Sequence, residues 1–373
     1  MSLFLKQFST HVEYEAYING SGAILPNVSI CTTEGDVHYN PESPHDYSQD
    51  FFTMVVTVGG DIKWSGSTAF NTLSYSKDNG TTWTTANSAI SVVEGDKILW
   101  KGTATPQSSK SIGRFSGATD VRYSVEGNAM SLLYDDNFVN QTSLEYNALY
   151  ALFSGNTNVT SAENLSLPAT TLASYCYQKM FFGCTSLTTA PSVLPATTLA
   201  NRCYNSMFQG CTNLTTAPEL LATTLAQSCY ESMFQGCTSL TTAPELYATT
   251  LATSCYYRMF YDCTSLTTAP ELPATTLVDT CYTNMFINCT SLTTAPELPA
   301  ATLAQSCYGY MFYGCTSLNY IKCLATDISA DDCTTGWVSG VASSGTFTKD
   351  ASMSSWTTGV NGTPSGWSVV DAA

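Results

Sequence analysis

Apolar positions recur through residues 171–333 in one fixed frame. Each copy reads C-Y-x-x-M-F-x-x-C-T-S-L-T-T-A-P-E-L-P-A-T-T-L-A-x-x, with minor departures. Its first cysteine falls at Cys176, Cys203, Cys229, Cys255, Cys281 and Cys307, at spacings of 27, 26, 26, 26 and 26. A period of this length means stacked coils, because one unit can bury its apolar face only against its neighbours. Advancing about 100° per residue from Cys307 gathers the shared Leu303, Ala304, Met311, Phe312, Tyr308 and Cys315 on one arc. Positions 305, 306, 309, 310 and 313, which differ among copies, fill the opposite arc. That division predicts an amphipathic helix in every coil.

Termini agree with a helix. A threonine precedes the shared leucine at Thr171, Thr198, Thr224, Thr250, Thr276 and Thr302, where an N-cap belongs. Before the second cysteine stands Gly183, Gly210, Gly236, Asp262, Asn288 or Gly314, residues that tolerate a left-handed C-cap. The following Leu-Thr-Thr-Ala reads as a short strand, ended by its proline. One strand plus one helix per coil is the predicted unit. Copies degrade at both ends: Asn156 takes the cysteine position upstream, and Cys333 still lies 26 after Cys307 downstream.

The flanks follow another period. Residues 51–140 alternate in strand fashion (FFTMVVTV, TLSYS, KILWKGT, VRYSV), with a turn at Asp78-Asn79-Gly80, and read as a small β-sandwich. Residues 336–373, rich in Gly and Ser, read as a β-rich C-terminal cap. Residues 1–50 read as an N-terminal attachment module: a short helix opened by a Thr10-x-x-Glu13 capping box, then strands LPNVSIC and DVHYN. The solenoid occupies 141–335.

Composition narrows the partners. With 13 Lys and Arg against 29 Asp and Glu, a net charge of −16 disfavours nucleic acid and anionic membrane surfaces. No run of 18 apolar residues exists to span a membrane. The start, MSLFLKQFSTHVEYEAYI, lacks the apolar core of a secretory leader. Fourteen of 15 cysteines lie between Cys176 and Cys333. On a helix, cysteines eight apart sit about 12 Å apart, beyond the ~7 Å a disulfide allows. They read as columns of buried thiols.

Little material for catalysis is present. The histidines are His11, His38 and His45, and no Walker, G-x-S-x-G or H-E-x-x-H motif occurs. Ser76-Lys77-Asp78-Asn79-Gly80-Thr81-Thr82-Trp83 resembles the Asp box of sialidases, a structural hairpin there, in a single copy. No enzyme, cofactor or metal is expected. Glu219, Glu245, Glu271 and Glu297 recur at one position and read as a solvated edge, with a cation ladder as the alternative. Tandem threonines offer a second flat surface on which one of each pair faces outward. The variable positions of the repeats hold Tyr175, Lys179, Arg202, Tyr257, Arg258, Tyr261, Tyr310 and Tyr313 among Asn, Ser, Gln and Thr. Such rigid aromatics beside adaptable polar groups are the composition of binding surfaces, and these eight are the candidate ligand-binding set.

The M-F-x-x-C-T-S-L core at this period resembles the BspA-type leucine-rich repeats of bacterial surface proteins, over about residues 145–335. The tail from Cys333, CTTGWVSGVASSGTFTKDASMSSWTTGVNGTPSGWSVVD, looks like endings found in gut Bacteroidales and their phages. The opening THVEYEAYINGSGAILPNVSIC with EGDVHYNP is similar to N-terminal modules of phage structural proteins. The resemblance implies an α/β leucine-rich-repeat solenoid acting as an adhesin toward a host cell-surface protein or glycan. Without a leader, the expected place is the virion surface, as a phage fibre or decoration protein. Residues 1–50 would join it to other virion proteins, and a homo-oligomer, often a trimer, is typical of fibres. A bacterial cell-surface adhesin is the alternative, and a glycan-degrading enzyme a distant third.

Overall fold

A computed structural model describes strand backbone at residues 3–8, 13–18, 28–33 and 36–41, then residues 45–66, 73–103, 113–354 and 356–372. The chain divides into two units, Met1–Asp46 and Tyr47–Ala373.

The first unit holds two antiparallel hairpins. Strand β1 (Leu3–Phe8) pairs with β2 (Glu13–Ile18), Leu3 opposite Ile18. Strand β3 (Val28–Thr33) pairs with β4 (Asp36–Pro41). The helix expected after Thr10 is therefore replaced by β2. Tyr14, Ala16 and Ile18 alternate with Glu13, Glu15 and Tyr17, a two-residue period that favours a strand. Thr10 itself lies outside the described residues.

The second unit opens with β5 (Phe52–Val58), β6 (Gly60–Ser65), β7 (Leu73–Ser76), β8 (Thr84–Thr85), β9 (Ile90–Val92), β10 (Lys97–Gly102), β11 (Arg114–Gly117) and β12 (Arg122–Asn128). Residues 51–140, read above as a sandwich, form two sheets, ordered β12-β5-β10-β7-β8 and β11-β6-β9. Phe115 of the smaller sheet meets Phe52 at 5.7 Å and Trp100 at 4.8 Å from the larger, all three buried. The Asp-box octapeptide is the β7–β8 hairpin. Asp78 accepts from the Thr82 hydroxyl (2.6 Å) and amide (2.8 Å) and from Ser76 Oγ (2.7 Å), which holds its carboxyl down at about 2.

Strand β12 then continues into the repeats. It pairs in parallel with β13 (Val159–Ser161) and β14 (Leu165–Ser166), so the larger sheet runs without a break into the first coil. Asn156, standing where later coils have cysteine, fastens the join. Its amide donates to the Phe115 carbonyl (2.9 Å) and Tyr123 Oη (2.7 Å), while its Oδ1 accepts from the Asn158 and Val159 amides.

The repeats stack as a solenoid of about seven turns, and the helix predicted for each coil is absent. Among the described residues the α-helix is the single turn Ser131–Tyr134. Each cysteine-to-cysteine segment is instead a ribbon of consecutive tight turns. Counting from the first cysteine of a coil as position 0, amides at even positions bond three residues back, as in Met207 to Tyr204 (3.2 Å) and Cys211 to Phe208 (3.0 Å). Amides at odd positions donate to the next coil: Tyr204 to Cys229, Ser206 to Glu231, Phe208 to Met233 and Gly210 to Gln235, at 2.7–3.0 Å. A helix would spend those odd amides within the coil. The backbone adopts left-handed φ every fourth residue, at Arg202 (56°), Ser206 (55°) and Gly210 (76°), and likewise in later coils. Four-residue spacing of Leu, Cys, Met and Cys is common to an α-helical stripe and to this ribbon, which is why the helical reading fitted.

On the other side of each coil, β pairing is confined to short rungs. β15 (Val193–Leu194) pairs in parallel with β16 (Glu219–Leu220), and Thr189–Thr216 and Thr242–Thr268 form isolated bridges. The threonines expected as N-caps serve as further rungs, Thr198–Thr224–Thr250. At the far end β17 (Tyr320–Cys323), β18 (Thr346–Lys349) and β19 (Ser368–Asp371) extend the parallel ladder, so residues 336–372 prolong the stack.

The core is built from columns. Tyr177, Tyr204, Tyr230, Tyr256, Tyr282 and Tyr308 stack with centroids 5.6–6.1 Å apart. Phe153, Phe181, Phe208, Phe234, Phe260, Phe286 and Phe312 stack at 5.3–5.8 Å. Met and both cysteines fill the space between. All fourteen described cysteines are free and buried; the side chain of Cys31 lies outside the described residues. In the second cysteine column each thiol donates to a phenylalanine carbonyl of the preceding coil, for example Cys211 Sγ to Phe181 O at 3.0 Å. We predict that a thiol reagent labels none of these fourteen in the native protein and all of them in denaturant; rapid native labelling would defeat the column packing.

Candidate functional site

A ribbon of turns exposes whatever occupies its outward positions, and the eight candidates all stand there. None is buried; Tyr310 and Tyr313 are each 44% exposed. Tyr175, Lys179, Arg202, Arg258 and Tyr310 occupy left-handed positions, with φ between 53° and 65°. In other coils the same positions hold Ser, Thr, Asn, Asp or Gly, of which Asn, Asp and Gly suit that conformation best. Large side chains have thus been placed on backbone that prefers small polar ones.

The set divides into groups. In the coil of Cys255, the Arg258 guanidinium lies over the Tyr257 ring at 4.9 Å and the Tyr261 ring at 5.6 Å. In the coil of Cys307, Tyr310 and Tyr313 meet edge to face at 6.2 Å. Tyr310 also rests on Gly336 of the following coil, where a Cβ would come within 2.6 Å of its ring. Arg258 and Tyr310 share one column, as do Tyr261 and Tyr313, with Asn284 and Ile287 between them. Tyr175, Lys179 and Arg202 lie at the other end: Tyr175 packs on Tyr146 at 5.2 Å and Lys179 over Phe182 at 5.5 Å. Ser228, Glu231, Ser232 and Gln235 of the intervening coil separate the two ends.

Sequence reasoning missed Tyr247, 47% exposed on the strand side. It stands where the other copies carry Pro195, Leu221, Pro273 and Pro299, so a comparison of copies at that position would have marked it.

The strand side is a hydroxyl surface. Both members of the pairs Thr215–Thr216, Thr241–Thr242, Thr267–Thr268 and Thr293–Thr294 are exposed, so the expectation of one outward threonine per pair is corrected. The bridges are single rungs, and the chain does not run long enough in a strand to turn alternate side chains inward. In three coils the first threonine of the pair donates to the preceding coil's backbone, as Thr188 to Thr160 (2.9 Å), Thr215 to Thr188 (3.0 Å) and Thr267 to Thr241 (3.1 Å). Of the recurring glutamates, Glu297 is paired with Lys322 at 2.9 Å, while Glu219, Glu245 and Glu271 are exposed.

Chemistry inside the coils is suppressed by burial. Desolvation pushes the thiols up, Cys176, Cys211, Cys281 and Cys315 to about 12, and holds the stacked tyrosines well above their ordinary value. Such thiols stay protonated and are poor nucleophiles and poor metal ligands. Among the described residues no group of three or more His, Cys, Asp or Glu is placed to hold a metal ion. One shallow groove is lined by Thr275, Thr276, Leu277, Thr302, Leu303 and Ala304; another, toward the C-terminal end, by Val338, Val341, Val360 and Pro364 among small residues. Neither lining includes a carboxylate, histidine or thiol. No helix among the described residues is long and apolar enough to cross a membrane.

Comparison with known proteins adds one match. The family described as "BspA type Leucine rich repeat region" is found in six copies, over residues 151–244 and 204–331. No curated protein and no solved structure matches the chain. The matched span covers the coils whose stacking is described above, and residues 151–331 of this chain are a BspA-type leucine-rich-repeat region.

Proposed function

We propose that this chain is a non-enzymatic adhesion protein whose ribbon face binds a host cell-surface protein or glycan, and that it works as a fibre or decoration protein on a phage particle. BspA-type repeats point to a surface, adhesion-type repeat protein. The observation that carries the reading is where the copies differ. Their buried columns are nearly invariant, while the bulky Tyr and Arg side chains that differ among copies stand at outward positions of a few coils. Exposed aromatics held by a rigid scaffold lose little conformational freedom on binding.

In this reading residues 1–50 attach the chain to other virion proteins, and the protein works as a homo-oligomer, a trimer in the first instance. A bacterial cell-surface adhesin is the second reading, favoured by the repeat family alone. Immunogold electron microscopy of particles and of cells separates the two. For the binding face, the purified chain should decorate intact host cells, and the Tyr310→Ala/Tyr313→Ala double variant should lose about tenfold or more in affinity. Undiminished decoration would remove the ribbon face from the proposal, and hydrolysis of a surface glycan by the pure chain would replace binding with catalysis.

A further inference from the structure

Acids outnumber bases more than twofold in this chain, yet among the described residues Lys63, Arg114 and Arg122 of the sheet region form no ion pair. Lys77, Lys97, Lys101, Lys322 and Lys349 each hold a carboxylate. Lys179, Arg202 and Arg258, the three basic side chains of the ribbon face, do not: among the described residues no carboxylate lies within 4.0 Å of them. Arg258 is the most constrained. Its guanidinium packs against two tyrosine rings, and its Nε is buried without a hydrogen-bond partner. Two acids at neighbouring positions of the repeat are otherwise placed. Asp262 accepts the Asn288 amide at 2.8 Å, and Glu231 belongs to the column of Tyr257 in the preceding coil.

An arginine packed against two aromatic rings has fewer orientations open to its remaining N–H groups, whose planar fork matches a carboxylate. Two coils along the same columns, Tyr310 and Tyr313 are each 44% exposed and meet edge to face. From Phe260 to Phe312 the coils advance in steps of 5.7 and 5.8 Å, so the arginine and the second tyrosine pair are an oligosaccharide's length apart. We infer that the ribbon face binds an acidic glycan, with a sugar carboxylate on Arg258 between Tyr257 and Tyr261 and a further sugar ring against Tyr310 and Tyr313. This rests on the binding reading above and names its ligand class.

The test titrates the full chain with oligogalacturonate, with its methyl ester, which keeps the sugar skeleton without the charge, and with polyglutamate. Arg258→Asn is the informative variant. Asn284 holds the same position in the next coil at φ 61°, so the ribbon already accepts asparagine there, and an unchanged melting curve verifies the fold. Oligogalacturonate should bind, weaken with rising salt, and lose about tenfold or more in Arg258→Asn; Tyr310→Ala should weaken it as well. Equal binding of the methyl ester, or full binding by Arg258→Asn, overturns the inference. Equal binding of polyglutamate overturns the assignment to a glycan. If oligogalacturonate fails to bind while intact cells are still decorated through Tyr310 and Tyr313, the acidic-glycan inference falls and the adhesion reading stands; if cells are not decorated either, both fall.

Discussion

Raising the pH from about 9 to about 11 should unfold the solenoid in one steep transition. Fourteen buried thiols carry raised values, among them Cys176, Cys211, Cys281 and Cys315 at about 12, against an ordinary value of 9.0. The cause is desolvation of the thiolate in an apolar column. A folded-state value above the unfolded one contributes stability that is complete below the unfolded value and is lost as pH rises toward the folded one. Each thiol therefore withdraws about 1.4 kcal/mol per pH unit once the unfolded chain can ionise. A dozen acting on one stack exceed the 5–15 kcal/mol by which a domain is ordinarily stable within about one unit. The stacked tyrosines, raised in the same way, add to the slope. Circular dichroism, tyrosinate absorbance and thiol reactivity should change together. Separate transitions, or an intact fold at about pH 12, would contradict a continuous column of protonated thiols.

Much of this arrangement is legible in the repeat itself. Leu303, Cys307, Met311 and Cys315 recur at four-residue steps, and that spacing alone places them in the core. The bar to a Cys176–Cys184 disulfide rests on a helical rise that the ribbon does not have, and the cysteines are free for a reason the spacing does not supply. What the spacing does not contain is the destination of the backbone amides. An α-helix and a ribbon of turns put the same residues on one face; they differ in whether the Ser206 and Phe208 amides stay within the coil or reach the next one. A distinguishing signal was nonetheless present. Small polar residues and glycine recur every fourth position, as in Ser228-Ser232-Gly236 and Thr280-Asn284-Asn288, and a helix C-cap accounts for the last of each trio alone. In the first unit a four-residue capping box at Thr10 yielded to the longer alternation from Glu13 to Ile18, since a cap decides where a helix starts and not whether one forms.

The candidate face divides along the same line. Comparing copies shows which positions vary, and hence that Tyr257, Arg258, Tyr310 and Tyr313 point outward. It does not show that Arg258 lies against both Tyr257 and Tyr261, because that contact depends on the direction in which a left-handed residue projects its side chain. Nor does it reveal that Tyr310 needs a glycine beneath it. Gly336 stands where earlier copies carry Lys179, Ser206, Ser232, Arg258, Asn284 and Tyr310, and its missing Cβ makes room for the Tyr310 ring.

Trp337→Ala should cost about 3–5 kcal/mol, and deletion of residues 336–373 should leave a chain that frays and aggregates. A solenoid is stabilised by nearest-neighbour interfaces, and its last coil has a neighbour on one side only. Here that coil is closed by Trp337, fully buried, stacked 6.2 Å from Tyr308 and tilted against Phe312 at 6.3 Å, the last rings of the two aromatic columns. Trp356 lies 5.6 Å beyond it and Phe347 meets it edge-on at 6.1 Å. The indole Nε1 donates to the Gly362 carbonyl at 2.8 Å, so the same side chain ends the columns and anchors the loop that shields them. Alanine there leaves a cavity against both columns and an unpaired buried carbonyl. Loss should begin at the C-terminal coils and spread inward, so amide exchange would quicken first around Cys307 and Cys333 and last around Cys203. A uniform acceleration along the stack, or a loss below about 1 kcal/mol, would mean that the rungs β17, β18 and β19 alone close the solenoid. A second variant separates the two contributions: Phe234→Ala, in the middle of the stack, should cost a similar amount without the directional fraying.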